Sequence, residues 1–132
     1  MQIDVVEPRQ VKTFWPLVDK HVRASQKRSS TQATADLMRY HCIHDNTWRL
    51  VILDECRAAA VIRVWDHRLH VVAIGGRLPK GWETEFFEWL KRAGRFMGLT
   101  HVTLGGRKGW KRKLAHLGFV PLDAVYLGAY IT

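Results

Sequence analysis

The sequence predicts an α+β fold: a mixed, mostly antiparallel sheet with one central parallel strand pair and helices on both faces. Three observations predict it. The β-branched or aromatic-rich runs "TWRLVIL", "RAAAVIRVW" and "LHVVAI" follow one another with only the short polar breaks "DEC" and "DHR" between them. That spacing suits an antiparallel meander. Two segments of helical periodicity precede the meander. After it come a helix and a further strand, and a strand–helix–strand succession implies a parallel pair joined by a right-handed crossover.

Each element follows from a local pattern. The opening "QIDVVE" is a short strand candidate. In "PRQVKTFWPLVDKHVRASQKRSS" the residues Val11, Phe14, Trp15, Val18 and Val22 recur at helical spacing. Pro16 would break the middle of a helix, so the pattern puts the N-cap at Thr13, close enough that Pro16 falls near the unpartnered first turn. "STQATADLMRYHCIHDN" reads as a second helix, with Thr34 as its cap and Asn46 near its exit. The meander then ends in "GGRLPKG", a glycine-rich break. The next helix has a stripe of Trp82, Phe86, Trp89, Leu90, Ala93 and Met97, with Gly98 placed to end it. "LTHVTL" is another strand, "RKGWKRKLAHLG" a short helix and "AVYLGAYI" a last strand.

One domain over residues 1–132 is expected, since a single core usually serves about 100–200 residues. An apolar fraction of 47% and a charged fraction of 25% are globular values and argue against disorder. Cys42 and Cys56 have no paired spacing, which fits a reducing compartment such as a bacterial cytoplasm. No apolar run reaches membrane-spanning length, and "MQIDVVEPRQ" lacks the order of a signal peptide. The net charge of +9 is concentrated in one region. Residues 68–116 hold eleven Lys and Arg against Glu83, Glu85 and Glu88, nearly the whole excess. Such a field gathers anions and suits a polyphosphate ligand, a nucleic acid or an acidic protein.

The C-terminal half carries an ordered set of segments: "VVAIGG", "RLPKGW", "EFFEWLKRAGRFMG", "HVTLGG" and "RKGWKRKLAHLGF". With this set the chain resembles the GNAT (acyl-CoA N-acyltransferase) superfamily over nearly its whole length. It looks most like the small GNAT-like proteins of tailed phages, with their "GRxGW" motif and closing "LGF". The resemblance implies a GNAT-like fold and an acetyl-CoA site where the parallel strands splay. Its residues would be Ala73, Ile74, Gly75, Arg77, Lys80, Gly81, Trp82, Arg107 and Lys108. The superfamily's [RQ]xxGx[GA] loop wraps backbone N–H groups around a pyrophosphate at a helix N-terminus, where orphan amides and the helix dipole attract an anion. Arg77 matches its first position, while Lys80 and Trp82 stand where glycines are usual. Glu83 and Glu85 suit the dipole but would repel a phosphate. The tyrosine that often protonates the departing thiolate is replaced by Leu114, so no catalytic residue is assigned. His70 is the only titratable group in the fourth strand and reads as a strand-face residue.

Other constellations yield bland readings. His41, Cys42, His44 and Cys56 lack the second ligand pair of a zinc site, so no metal is expected. Core packing accounts for Trp15, Trp48, Trp65 and Trp89. In "TLGGRKGWKRKLAHLGF" Trp110, Leu114 and Leu117 share a stripe, Gly118 gives a left-handed exit and Phe119 re-enters the core. Lys108, Lys111, Arg112 and Lys113 then form an outer face, with Arg107 and Lys108 as phosphate contacts. No recognition helix, RNP or zinc-finger pattern supports sequence-specific nucleic-acid binding. Two functions follow. One is an acetyl-CoA-dependent N-acetyltransferase acting on a host or phage amine. The other is a non-catalytic GNAT-like phage protein, a virion component or a binder of a host protein, with self-association open. The corresponding locations are the bacterial host cytoplasm and the virion.

Overall fold

A computed structural model describes residues 1–27, 34–105, 109–123 and 125–131. The chain runs β1 (Ile3–Val6), a 3-10 turn (Pro8–Gln10), α1 (Val11–Gln26), α2 (Ala35–His44), β2 (Trp48–Leu53), β3 (Ala58–Trp65) and β4 (Arg68–Gly76). It continues through α3 (Trp82–Phe96), β5 (His101–Gly105), α4 (Trp110–Lys113), a 3-10 turn (Ala115–Leu117), β6 (Val120–Pro121) and β7 (Tyr126–Tyr130). The strands form one sheet in the order β1-β2-β3-β4-β5-β7-β6. β4 and β5 pair in parallel and the other neighbours antiparallel. The mixed α+β sheet with one central parallel pair is therefore observed.

Alternation along the strands builds a core on each face. On one face Leu50, Ile52, Ala59, Val61, Val72 and Ala73 pack under Trp15, Val18 and Val22 of α1 and Met38 and Cys42 of α2. On the other, Val51, Leu53, Ala60, Ile62, Val71, Ile74, Val102 and Leu104 meet Phe86, Phe87 and Leu90 of α3 with Trp110, Leu114, Leu117 and Phe119. A sheet covered on both faces needs apolar residues in both phases, which is why "WRLVIL" and "AAAVI" read as continuous runs. Asp66 and His67 close the β3–β4 hairpin with φ of 50° and 60°, the two positive values that a type I′ turn requires.

Several local expectations are corrected. α1 starts at Val11 with Gln10 as N-cap, not after Thr13, and Pro16 lies inside it. Pro16 is tolerated because it is exposed, where water can reach the carbonyl it leaves without a partner. The buried stripe of α3 is Phe86, Phe87, Leu90 and Gly94, whereas Met97 is the C-cap and is 47% exposed. The helix ends before Met97 can turn inward. Gly75 and Gly76 belong to β4 and are no break. The helix expected over "RKGWKRKLAHLG" is split into a four-residue α4 and a 3-10 turn. Trp65 stands 37% exposed on the hairpin, between the guanidinium groups of Arg63 and Arg68. Other expectations hold. The Thr34 side chain accepts from the Leu37 N–H and caps α2, while Gly98 and Gly118 take positive φ. Trp110, Leu114, Leu117 and Phe119 are buried.

Candidate functional site

The parallel pairing of β4 with β5 ends at Val71 and Leu104, although β4 continues to Gly76. Beyond that point the two strands separate. A β-bulge sharpens the departure: Val61 faces Ala73 and Ile62 faces Val71, leaving Val72 as the extra residue. Both Val72 and Ala73 sit in the core beneath α1.

The backbone beyond the bulge is set by ladder alternation. The Arg77 N–H donates to the Arg57 carbonyl at 2.9 Å, which marks a hydrogen-bonded position just past the end of the β3–β4 ladder. Hydrogen-bonded and non-bonded pairs alternate in an antiparallel ladder. The amides of Gly76 and Ile74 consequently turn away from β3, toward the gap that β5 has vacated. The Ile74 N–H is taken there by the Ser25 hydroxyl at 3.0 Å. Ser25 is itself only 5% exposed.

Gly75 explains why the last turns of α1 reach this spot. A Cβ at Gly75 would lie 2.2 Å from the His21 carbonyl oxygen and 3.2 Å from Ser25 Cβ. Only a glycine lets α1 lie this low on the strand.

Around the gap opens a cleft of about 1290 Å³. Its walls are the end of α1 (Lys20, His21, Ala24, Ser25), the β2–β3 turn (Asp54, Cys56, Arg57), the end of β4 with the following segment (Ile74–Pro79), Trp82 and Trp110. The gap between the splayed strands is a separate pocket of only about 20 Å³, floored by Val71, Val72, Ala73 and Ile74 and closed by Leu104, Gly105 and Trp110. That is room for about one water molecule. The β2–β3 turn is held in an unusual conformation, with positive φ at Asp54, Glu55 and Cys56, none of them glycine. His21 Nε2–H secures it by donating to the Cys56 carbonyl at 3.0 Å.

The charge around the cleft is mixed but positive on balance. Lys20, Arg57 and Arg77 line it, and Asp54, the only carboxylate among the described lining residues, lies 3.8 Å from Arg57. Gly81 caps α3 in the left-handed region with φ of 83° and brings no capping side chain; the Trp82 N–H is taken by the Pro79 carbonyl at 3.1 Å. Glu83 in that turn is bound by Lys113, Nζ to Oε1, at 2.9 Å. Burial works to raise the Glu83 carboxyl, but the Lys113 hydrogen bond and one from its own backbone N–H hold it below the usual range. The repulsion expected of Glu83 is thus largely offset. Glu85 is tied to the Met1 ammonium at 3.0 Å.

Of the residues named from sequence, Ile74, Gly75, Arg77 and Trp82 line the cleft. Ala73 lies at the gap with its side chain in the α1-side core. Lys80 and Gly81 occupy the turn leading into α3. Arg107 and Lys108 lie outside the described residues. Sequence reasoning missed Ser25, His21, Asp54, Cys56 and Arg57; the pair Gly75–Gly76 was the signal that a backbone approaches β4 closely.

His70 sits apart from the cleft, buried, with Nδ1 2.7 Å from Thr103 Oγ1 across the parallel pair. Burial, then the charges of Arg63 and Arg68, push its pKa down to about 4. It is a strand-face residue held neutral. Among the described residues no cluster of three or more His, Cys, Asp or Glu gathers as a metal would need. Leu114, fully buried, presents no titratable group. No described helix is long and apolar enough to cross a membrane.

No protein-family model matches this sequence, nor does any curated protein sequence. Solved structures do match. GCN5 of Tetrahymena superposes with a TM-score of 0.71 at 10% identity, over 100% of this chain and 97% of that one. An aminoglycoside 6'-acetyltransferase of type Ii gives 0.72 at 10% identity, over 100% and 98% of the two chains. The PaiA N-acetyltransferase of Thermoplasma acidophilum, solved with coenzyme A, gives 0.58 at 7% identity over 98% and 99%. With the splayed parallel pair, the bulged β4 and the crossover helix α3 all in place, this chain has the GNAT acetyltransferase fold.

Proposed function

We propose that the cleft takes acetyl-CoA and that the protein transfers the acetyl group to an amine. The observation that carries this reading is the splay itself. The amides of β4 are turned into a cleft whose volume exceeds the roughly 300–1,000 Å³ of ordinary small-molecule pockets, and that cleft sits beside the N-terminus of α3, whose N-cap is a glycine.

The residues present fit the ligand. Arg77, Lys80 and Gly81, with the N-terminus of α3, would hold its phosphates, since the two cations and the positive end of the helix dipole favour an anion. Lys20 and Arg57 add positive charge to the cleft wall. Ala73, Ile74 and Gly75 would lie along the acyl-bearing arm, and Trp82 would bound it. Arg107 and Lys108 belong to the same proposal as phosphate contacts. The gap at the splay holds only about one water, so entry beyond the cleft requires Trp110 to move. Bound there, the thioester would supply an activated acyl group.

A second reading, a GNAT-like protein that binds a ligand or a protein partner without turnover, has its own support. Leu114 is fully buried where a proton donor would stand, and Asp54, the cleft's one described carboxylate, is paired with Arg57. In that reading the protein serves as a phage virion component or a binder of a host factor. The experiment is a thermal-shift titration with CoA, followed by thiol release from acetyl-CoA with a host lysate as acceptor. Stabilisation by CoA with turnover, both lost in an Arg77→Ala, Lys80→Ala variant, supports the transferase. Stabilisation without turnover supports the second reading, and no stabilisation by CoA sinks the cofactor assignment.

A further inference from the structure

We infer that in this chain the acyl carbonyl oxygen is received by the Ser25 hydroxyl, which stands between that oxygen and the Ile74 amide. The inference rests on the reading of the cleft as an acyl-thioester site and names a residue that this reading leaves unassigned.

The amide of Ile74 is the strand donor aimed into the splay, and it is already committed to Ser25 Oγ at 3.0 Å. A ligand oxygen arriving there meets the Ser25 hydroxyl first. A serine hydroxyl has one proton to give as well as lone pairs to accept with. Ser25 uses a lone pair on Ile74, and no acceptor among the described residues takes its proton. A buried hydroxyl rarely leaves its proton unused. Ser25 borders both the large cleft and the small gap, so the open direction for that proton is the cavity. Accepting from Ile74 also polarises the hydroxyl, and such chains strengthen each bond by about 10–30%.

The position is built in. Ser25 reaches β4 only because Gly75 carries no side chain: a Cβ there would overlap the His21 carbonyl and crowd Ser25 Cβ. The hydroxyl is held at a helix end against a bulged strand, a rigid mount for a donor.

In the transfer, a carbon–nitrogen bond forms to a primary amine and the carbon–sulfur bond breaks. The amine gives up one proton to water, and the departing sulfur takes one from water. Ser25 keeps its own proton throughout. It donates a hydrogen bond to the carbonyl oxygen while that oxygen carries excess negative charge, and Ile74 supports it from behind. Removing one such donor typically lowers turnover about 10²–10³-fold.

The test compares acetyl-CoA with CoA, which lacks the carbonyl, by calorimetric titration of the native protein, Ser25→Ala and Ser25→Thr. The native protein and Ser25→Thr should prefer acetyl-CoA about three- to tenfold, the range of one net hydrogen bond. Ser25→Ala should bind acetyl-CoA no more tightly than it binds CoA. Infrared spectra of carbonyl-labelled acetyl-CoA give a readout on the native protein alone, in which the bound carbonyl stretch should move to lower frequency. A preference that survives in Ser25→Ala, or a native carbonyl band that does not move on binding, overturns the inference and leaves the acyl-CoA site standing. Failure of the native protein to bind either ligand removes both together.

Discussion

Lys113 Nζ lies 2.9 Å from Glu83 Oε1, joining the short α4 to the first turn of α3. The same ammonium lies 6.0 Å from the Trp82 ring centroid and 5.7 Å from that of Trp110. One cation therefore quiets the carboxylate at the helix N-terminus and sits over two tryptophans that line the cleft. Lys113→Ala should release the Glu83 charge toward any phosphate bound there. We expect CoA affinity to fall about two- to fivefold, as a partly screened charge near a helix terminus warrants, and Glu83→Gln in the same background to restore it. Calorimetric titration at low salt reads both. Equal affinity in all three proteins would place the phosphates elsewhere.

His70 makes a second expectation, this time about pH. Its folded pKa of about 4 lies below the ordinary 6.5 because of burial and the positive charges of Arg63 and Arg68. Between those values the unfolded chain takes up a proton that the folded chain refuses. Stability is thus retained above pH 6.5, falls as pH drops toward 4 and levels off below it. At 1.36 kcal/mol per pH unit the loss reaches about 3 kcal/mol. Carboxylates titrate in part of the same range, so the comparison is with His70→Gln. Denaturant titrations at pH 7, 5.5 and 4 should show the native protein losing this amount relative to the variant. A difference that stays constant with pH would contradict the buried neutral imidazole.

The two thiols should behave in opposite ways. Cys42 is fully buried on the inner face of α2, and burial raises its pKa to about 12, so its reactive thiolate is scarce. Cys56 is half-buried on the cleft wall. A disulfide reagent should titrate one thiol in the native protein and two in guanidinium chloride. Saturating CoA should slow the native reaction, because the ligand and Cys56 share the cleft. Rapid labelling of Cys42, or labelling of Cys56 indifferent to CoA, would count against the packing and the cleft assignment respectively.

Trp110, at 5% exposure, packs against Trp82 with ring centroids 6.0 Å apart and nearly perpendicular. Trp110→Ala should cost about 3–5 kcal/mol, the usual range for a buried tryptophan. Urea unfolding measures it. A cost below about 1 kcal/mol would mean that the side chain carries little of the core, as surface positions do.

The sheet was legible because local pattern and global role agree in it. "TWRLVIL", "RAAAVIRVW" and "LHVVAI" are too apolar and too closely spaced for anything but adjacent strands, and Thr34 announces a helix with its own side chain. The α3 face was misjudged at Met97 because periodicity does not say where a helix stops, and Gly98 ends it too soon. The candidate site was only half legible. Arg77 and Ile74 follow from their place after a strand. Ser25, His21 and Cys56 do not, since nothing in a helix or a turn tells which strand it will lie against. That information sits in Gly75, whose missing side chain becomes meaningful only when α1 is seen resting on it.

Gly75 therefore gives the sharpest separation between conformational and steric demands. A Cβ at Gly81 meets nothing within 4 Å, so Gly81→Ala costs only the left-handed backbone at φ of 83°, about 1–2 kcal/mol. At Gly75 a Cβ would stand 2.2 Å from a backbone carbonyl, which cannot rotate aside as a side chain would. α1 must lift, and overpacking of this kind typically costs about 1–3 kcal/mol or more. Lifting α1 also draws Ser25 away from Ile74 and alters the cleft wall at Lys20 and His21. Gly75→Ala should consequently lose both stability and CoA binding, and speed amide exchange at Ile74, whereas Gly81→Ala should lose stability alone or with a modest change in affinity. Denaturant unfolding, calorimetric titration and hydrogen exchange separate the cases. A Gly75→Ala protein with native stability and an unchanged Ile74 amide would show that α1 does not lie as close to β4 as this packing requires.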